Sequence, residues 1–309
     1  MKIFLTGGSG MVGKNIQEHP EALSYEIFSP SSQELDLLDY DAVRRYIGVV
    51  SPDIVIHAAG KVGGIQANIL NPVDFLTQNV HMGLNVISAA SSLNVTNLIN
   101  LASSCMYPRD TFNPLSEDMI LKGKLEPTNE GYALAKIVST RLCEYLVKED
   151  PEKNYKTLIP CNLYGRHDKY DPKHSHLIPA VIRKIHEAKI HGTGVVNIWG
   201  DGEARREFMC AKDLADFIFF AINNFQKIPQ NINVGLGRDY SIIDYYNTVA
   251  SVIGFDGEFE FDLTKPVGMR QKLVDIQNLR NIGWSHKVDL VDGIQESYNF
   301  FKEGLVNGI

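Results

Sequence analysis

A chain of 309 residues, 44% hydrophobic and 22% charged, has the composition of a globular protein with a large core, in one large or two intimate domains. Its net charge of −7, with no run of Lys or Arg longer than two, speaks against a nucleic-acid surface. No apolar run reaches the roughly 18 residues of a membrane helix, and MKIFLTGGSG turns to glycine too soon for a secretory leader.

The four cysteines, Cys105, Cys143, Cys161 and Cys210, form no C-x-x-C pair. That spacing predicts neither a disulfide framework nor a metal site, and fits a reducing, cytoplasmic setting.

Residues 2–6, KIFLT, suit a central parallel strand, and the loop GGSGMVG (7–13) after them opens into a helix. Residues 25–29 read as a second strand, 41–47 as a helix, and 53–60 as a third strand ending in small residues. The spacing over 73–93 is helical, 97–103 is a fourth strand, 131–149 a long helix, and 157–165 a fifth strand and loop. Strands alternating with helices predict an α/β fold, a doubly wound parallel Rossmann sheet. Past residue 165 the pattern loosens, with helices expected at 175–190, 211–225 and 241–254 and a buried strand at 231–235. The second half is therefore expected to be a smaller C-terminal domain interleaved with the sheet.

Gly7, Gly10 and Gly13 fall at the first strand-to-helix turn, and Gly8, Gly10 and Gly13 satisfy G-x-G-x-x-G. Glycines there let the backbone turn tightly and approach a pyrophosphate at the helix N-terminus. A glycine turn without a ligand would show the same string, but its place after the first strand of a β-α-β pattern favours dinucleotide binding. At the end of the second strand an acid would bond a ribose 2′-hydroxyl and repel a 2′-phosphate. Ser31 and Ser32 stand there instead, with no Arg beside them. They can hydrogen-bond a phosphate, which leans toward NADP, or form a plain turn. Asp36 either faces the adenine or caps the next helix.

Tyr132 and Lys136 are four apart, so both project from one face of the long helix. An ammonium beside a phenol favours the phenolate, making Tyr132 a proton donor and acceptor near neutral pH. Ser103, closing the preceding strand, can hold a carbonyl oxygen while a nicotinamide gives hydride to the carbonyl carbon. Y-x-x-x-K also arises by chance on helix surfaces; the glycine loop and the strand-end serine before it favour catalysis.

TGGSGMVG, HAAGKVGG, SSCMYP and YALAK together resemble an extended short-chain dehydrogenase/reductase. AAGKVGGIQAN (58–68), SSCMYP (103–108), LEPTNEGYALAK (125–136), NLYGRHDKYDPKHSHLIPA (162–180) and WGDGEARREF (199–208) are similar to the GDP-L-fucose synthase family, over nearly the whole chain. The resemblance implies an NADP(H)-dependent enzyme that epimerises a GDP-linked 4-keto-6-deoxy-sugar at C3 and C5 and then reduces C4. It also implies a homodimer, with the helices at 74–93 and 132–150 as candidate packing faces. The NADP-binding Rossmann domain would be residues 1–165 plus about 229–237, and the substrate-binding domain 166–309.

Hydrogens flanking a ketone are acidic, so inverting those carbons needs a base on one face and an acid on the other. By resemblance Cys105 is the base and His176 the acid; outside the matched strings, a buried inert Cys and a loop His would be the plainer reading. Enolisation requires the ketone, so it must precede the hydride step. Ser103, Tyr132 and Lys136 complete the implied catalytic set.

For the cofactor the resemblance implies the loop residues Gly7, Gly8, Ser9, Gly10, Met11, Val12 and Gly13, then Ser31, Ser32 and Asp36. It adds Ala58, Ala59, Leu101, Ala102, Ser104 and Lys136, and beyond them Pro160, Asn162, Leu163 and His176. For the substrate it implies Ser103, Ser104, Cys105, Tyr132, Asn162, Lys184, Trp199 and Arg206; the alternative reading of the last two is a core Trp and a surface Arg.

The chain departs from the family at Lys184, usually Arg, at Val267, usually Asp, and at Ala102, usually Gly, and it lacks an Arg near Ser32. Val267 leaves open the same chemistry, or C4 reduction alone, on a dideoxy sugar (colitose) or a GDP-heptose. A 4,6-dehydratase would need an acidic pair where Ser104 and Cys105 stand. A non-catalytic NADP-binding regulator would not need Tyr132 and Lys136. His167, His174, His186 and His191 carry no implied role.

Overall fold

A computed structural model of the chain describes residues 1–171, 175–265 and 269–307; His174 and Val267 lie outside them. The central sheet starts with β1 (Lys2–Thr6), β2 (Glu26–Phe28), β3 (Ile54–His57), β4 (Asn97–Leu101) and β5 (Asn154–Pro160). A sixth strand, Asn231–Val234, pairs with β5, and the order across the sheet is Asn231–Val234, β5, β4, β3, β1, β2. Every pairing is parallel.

Alternation along the strands decides which face each side chain covers. Phe4, Val55, Leu98 and Tyr155 enter one core, against Val43 and Ile47 of α2 (Tyr40–Val50) and Val86, Ala89 and Ala90 of α4 (Pro72–Ser92). Their neighbours Ile3, Leu5, Ile54, Ile56, Ile99 and Leu101 enter the other. There they meet Ile16 of α1 (Met11–Glu18) and Leu214, Phe217 and Ile218 of the helix Ala211–Asn223. Both faces are covered, and so the strands are apolar runs rather than amphipathic ones.

The chain runs from β1 outward to β2, then returns to the other side of β1 with β3 and continues through β4 and β5. That reversal leaves a crevice between the carboxyl ends of β1 and β3, where doubly wound sheets bind ligands. Thr6 pairs with His57 and His57 with Asn100, so the loops after β1, β3 and β4 leave the sheet level with one another. The short α3 (Ile65–Leu70) and the long α5 (Glu130–Glu149) follow, α5 packed along α4.

A separate core joins the helices Leu177–His191, Ile242–Ile253 and Leu290–Asn307 to a parallel pair of strands, Val195–Trp199 and Glu258–Asp262. The expected strand at 157–165 is two strands: β5, and Asn162–Tyr164, which pairs with Phe208–Cys210. Val195–Trp199 escaped the sequence reading because only Val196 and Ile198 are buried. Leu290–Asn307 escaped it because a serine, Ser297, occupies a buried position between Ile294 and Phe301.

Candidate active site

The glycine loop is closed by backbone against backbone. Gly7 has φ +73°, and an added Cβ would lie 2.7 Å from the Ala59 nitrogen; at Gly13 it would lie 2.3 Å from the Gly7 oxygen. Gly10 donates its N–H to the Gly7 carbonyl at 3.0 Å and starts α1 with no side-chain cap and no acid in the first turn. The first amides of α1, from Met11, Val12 and Gly13, therefore present partial positive charge without a protein anion. Ser9 is exposed at the tip, and Thr6 Oγ1 accepts from Ala59 N at 3.2 Å, drawing Ala58 and Ala59 against the loop.

At the end of β2, the Ser29 hydroxyl is buried beside Gly8 with no hydrogen-bond partner among the described residues. An orphaned hydroxyl against a glycine cradle and an uncapped helix N-terminus fit the ribose and pyrophosphate of a dinucleotide. The sequence reading missed Ser29. Ser31 and Ser32 are exposed, and Ser31 N donates to Glu34 Oε2 at 2.7 Å. Asp36 does not cap the following helix: its Oδ1 accepts from Leu38 N, while Asp39 caps α2 through Ala42 N.

The strand end and the long helix bring Ser103, Cys105, Tyr132 and Lys136 together. Buried Lys136 donates from Nζ to the Leu101 carbonyl at 2.8 Å, and its ammonium lies 5.7 Å from the Tyr132 ring centre. Ala102 N is held by Leu158 O at 2.8 Å, which fixes the chain's exit from β4. Ser103 Oγ accepts from Cys105 N at 3.4 Å, starting a single 3-10 turn that buries Ser104 and Cys105.

Electrostatics differ from expectation here. Burial and then the nearby Cys105 push the Tyr132 phenol up, not down. Burial pulls Lys136 itself down to about 8. Burial likewise pushes the Cys105 thiol up, opposed by Lys272, Ser103 and Lys136. His57, at the end of β3, is pulled down to about 3 by burial and then by Lys136.

Pro160 ends β5, and Asn162 and Leu163 follow it into the strand that pairs with Phe208–Cys210. Asn162 Nδ2 donates to Glu207 O at 3.0 Å. Half-buried Arg206 is neither a free surface group nor ion-paired among the described residues: Nη1 donates to Arg205 O at 2.8 Å, and burial lowers its guanidinium against the pull of Glu126 and Asp239. His176 is the N-cap residue of Leu177–His191, with part of its surface open to solvent. Surrounding protein, then the Lys169 charge, holds its imidazole below the usual histidine range. Among the described residues it makes no hydrogen bond to Cys105.

Trp199 is not a core residue. The residue is 57% exposed, with the Lys184 and Lys265 ammoniums each 5.5 Å from a ring centre. Lys184 Nζ also reaches Asn197 O at 3.3 Å. Lys265 and Lys272 were not picked out from sequence. Among the described residues no cluster of His, Cys, Asp or Glu could hold a metal ion, and no helix is long and apolar enough to cross a membrane.

Residues 3–235 match the NAD dependent epimerase/dehydratase family. The chain is 58% identical over 301 residues to a GDP-L-colitose synthase of Yersinia pseudotuberculosis, covering 97% of this chain and 98% of that one. It is 51% identical over 303 residues to a GDP-L-fucose synthase of Azorhizobium caulinodans, covering 98% and 97%. Among solved structures, a GDP-mannoheptose C4 reductase from Campylobacter jejuni with NADP bound superposes with a TM-score of 0.88 at 32% identity, over 97% of this chain and 98% of the other.

Proposed function

This chain belongs to the NAD dependent epimerase/dehydratase family, and we propose that it is an NADPH-dependent 3,5-epimerase and 4-reductase of a GDP-4-keto-6-deoxy-sugar, most simply forming GDP-L-fucose. The observation that carries the reading is the cluster at the end of β4. Lys136 donates to the Leu101 carbonyl with its ammonium 5.7 Å from the Tyr132 ring centre, and the Cys105 thiol is near enough to act on the phenol's charge. The residues of the glycine loop, with Ser29, fit the dinucleotide; NADPH, when bound, supplies the hydride that reaches C4.

The chain's own groups do the rest. Ser103 and Tyr132 hold the C4 oxygen, first as negative charge develops during enolisation and again as the alkoxide takes its proton. Lys136 ties α5, which carries the phenol, to the end of β4. Cys105 takes a proton from the carbon beside the ketone, and His176 returns one to the opposite face, coming over the cleft from the N-terminus of its helix. Arg206 and Lys184 offer charge to a diphosphate, and exposed Trp199 offers a flat face to a base. Residues 1–165 with about 229–237 serve the cofactor and 166–309 the sugar nucleotide, in a cytoplasmic homodimer.

A second reading keeps the chemistry and changes the sugar to a dideoxy one, and the 58% identity to the colitose synthase supports it. Incubation with NADPH and a panel of GDP-4-keto-sugars, with products identified by NMR, separates the two. A 6-deoxy-L-hexose product carries the first reading and a dideoxy product the second. NADPH binding without turnover of any keto-sugar would replace both with a regulator.

A further inference from the structure

The Cys105 thiol rides on a turn that does not hold its own shape. Ser104–Met106 is a single 3-10 turn, and its bonds are long. Cys105 N reaches Ser103 Oγ and Tyr107 N reaches Ser104 O at 3.4 Å, and Met106 N reaches Ser103 O at 3.2 Å. One 3-10 turn with such bonds is weak by itself, since its hydrogen-bond geometry is poor. Yet Ser104, Cys105 and Met106 are all buried, so contacts from elsewhere in the fold set their place.

Two side chains carry those contacts in different directions. Met106 Sδ accepts from Thr140 Oγ1 at 3.5 Å, and Thr140 lies on α5, one turn beyond Lys136. Tyr107, the residue that closes the turn, donates from its hydroxyl to Asn233 Oδ1 at 2.5 Å. Both Tyr107 and Asn233 are buried, and Asn233 belongs to the strand Asn231–Val234.

The rest of Asn233 fixes the direction of that bond. Its Nδ2 donates to Leu115 O at 2.8 Å and to Asp275 O at 3.0 Å. Carbonyl oxygens only accept, so the amide nitrogen must face them and the amide oxygen must face Tyr107. The phenol is therefore the donor, and its proton is committed to Asn233. Burial, then the Glu117 charge, also pushes this phenol well above its ordinary range. Tyr107 is no proton source for a sugar, although it stands two residues from Cys105.

Asn233 is itself tied down. Its backbone N donates to Glu117 Oε1 at 2.9 Å. Leu115 N donates to Leu273 O at 2.8 Å, in the chain that continues from Gln271–Lys272, the two-residue strand parallel to Arg205–Arg206. One asparagine thus joins the Cys105 turn to the chain at 115–117 and at 273–275.

We infer that Tyr107 is a positioning residue for Cys105: its bond to Asn233 holds the Ser104–Met106 turn so that the sulfur meets the carbon beside the ketone, in the epimerase reading proposed above, on which this rests. Ser103 is placed by other means, because it follows β4 directly and Ala102 N is fixed by Leu158 O at 2.8 Å. A loosened turn then displaces the base while the grip on the C4 oxygen stays in place.

Tyr107→Phe removes one hydroxyl and keeps the ring. Solvent-deuterium exchange at C3 and C5 of a GDP-4-keto-6-deoxy-sugar, followed with NADP+ in place of NADPH, isolates the epimerase step. Its kcat should fall by roughly 10–10²-fold, the effect of a base misplaced by about 1 Å. KM for exchange and the Kd of NADPH by calorimetry should stay within about twofold of wild type. Thr140→Val releases the other end of the turn and should lower kcat in the same way; it replaces Tyr107→Phe if that variant does not fold. An unchanged kcat overturns the inference, as does an equal loss of NADPH affinity, which would mark general damage to the fold. A second readout needs no substrate. In protein labelled with [3-13C]cysteine, the Cys105 signal, assigned by its loss in Cys105→Ser, should shift or split in Tyr107→Phe. The signals of Cys143 and Cys210, which lie in other cores, should stay in place. An unmoved Cys105 signal overturns the positioning role. A wild-type enzyme that exchanges no deuterium sinks the epimerase reading instead, and the labelled signal still judges the turn.

Discussion

The Lys136 ammonium donates to the Leu101 carbonyl oxygen at 2.8 Å, tying α5 to the end of β4 just where Ser103 and Cys105 leave the sheet. Burial pulls this amine down to about 8, so its charge is lost as pH rises through that value. kcat/KM for keto-sugar reduction reports groups of the free enzyme. It should fall on the alkaline side with a midpoint near 8, and Lys136→Arg, which stays charged, should move that limb upward. A limb unchanged in the Arg variant would assign it to another group.

In the proposed reaction Tyr132 and Cys105 have separable roles. Tyr132→Phe removes the proposed donor to the C4 oxygen and should slow both NADPH oxidation and deuterium exchange, by roughly 10²–10⁴-fold. Cys105→Ser removes the proposed base alone, and exchange at C3 and C5 should fall about 10²-fold or more while NADPH still binds with wild-type affinity. Exchange at the normal rate in Cys105→Ser would take the base role away from this thiol.

His57 ties this end of the sheet to acid stability. It is 2% exposed, within 2.9 Å of Thr6 Oγ1, and is pulled down to about 3 from an ordinary 6.5. Below about 6.5 the unfolded chain binds a proton here that the folded chain refuses, so stability falls as pH drops from 6.5 toward 3. The slope from one such group approaches about 1.4 kcal/mol per pH unit. In urea unfolding at several pH values, His57→Gln should lose less stability than wild type over that window and behave in parallel with it above pH 7.

Trp199 tests the nucleotide end. In the proposed reading this exposed residue, with two ammoniums each 5.5 Å from a ring centre, stacks on a base while the cations meet phosphate. Trp199→Ala should weaken GDP binding by about tenfold or more, as loss of a stacked base does, with NADPH affinity unchanged by calorimetry. Equal losses for both ligands would mean the variant has disturbed the fold.

The sequence reveals one part of this site much better than the other. The glycine loop, Ser103, Tyr132 and Lys136 follow local rules, namely a turn needing glycine, a strand end and a four-residue helical spacing, so their grouping could be read without a structure. Lys272 obeys no local rule: it lies on a strand two residues long that exists only because Arg205–Arg206 pairs with it. Trp199 was singled out from the matched strings, but its exposure was not legible from residue type, since a large aromatic is usually buried; the exposure follows from the alternation of Val195–Trp199. The direction of the Tyr132 shift was also illegible, because spacing does not tell how deeply the fold buries a phenol.

Glu207 shows how the distant strand is held. Fully buried, it accepts from Leu236 N at 2.6 Å, Gly237 N at 2.8 Å and Val274 N at 2.9 Å, joining the loop after Asn231–Val234 to the segment that carries Lys272. Glu207→Gln replaces one acceptor oxygen with a donor and leaves at least one of those amides unmatched, so it should cost about 1–3 kcal/mol. Burial outweighs the three amides and pushes the carboxyl up to about 7 from an ordinary 4.5. A group raised in the folded state binds its proton more tightly there than in the unfolded chain, so its contribution declines as pH climbs from 4.5 to 7. The margin between wild type and Glu207→Gln should therefore be larger at about pH 5 than at about pH 8 in urea unfolding. A margin that is flat across that range would mean the three amides offset the burial and keep this carboxylate ionised as it is in water.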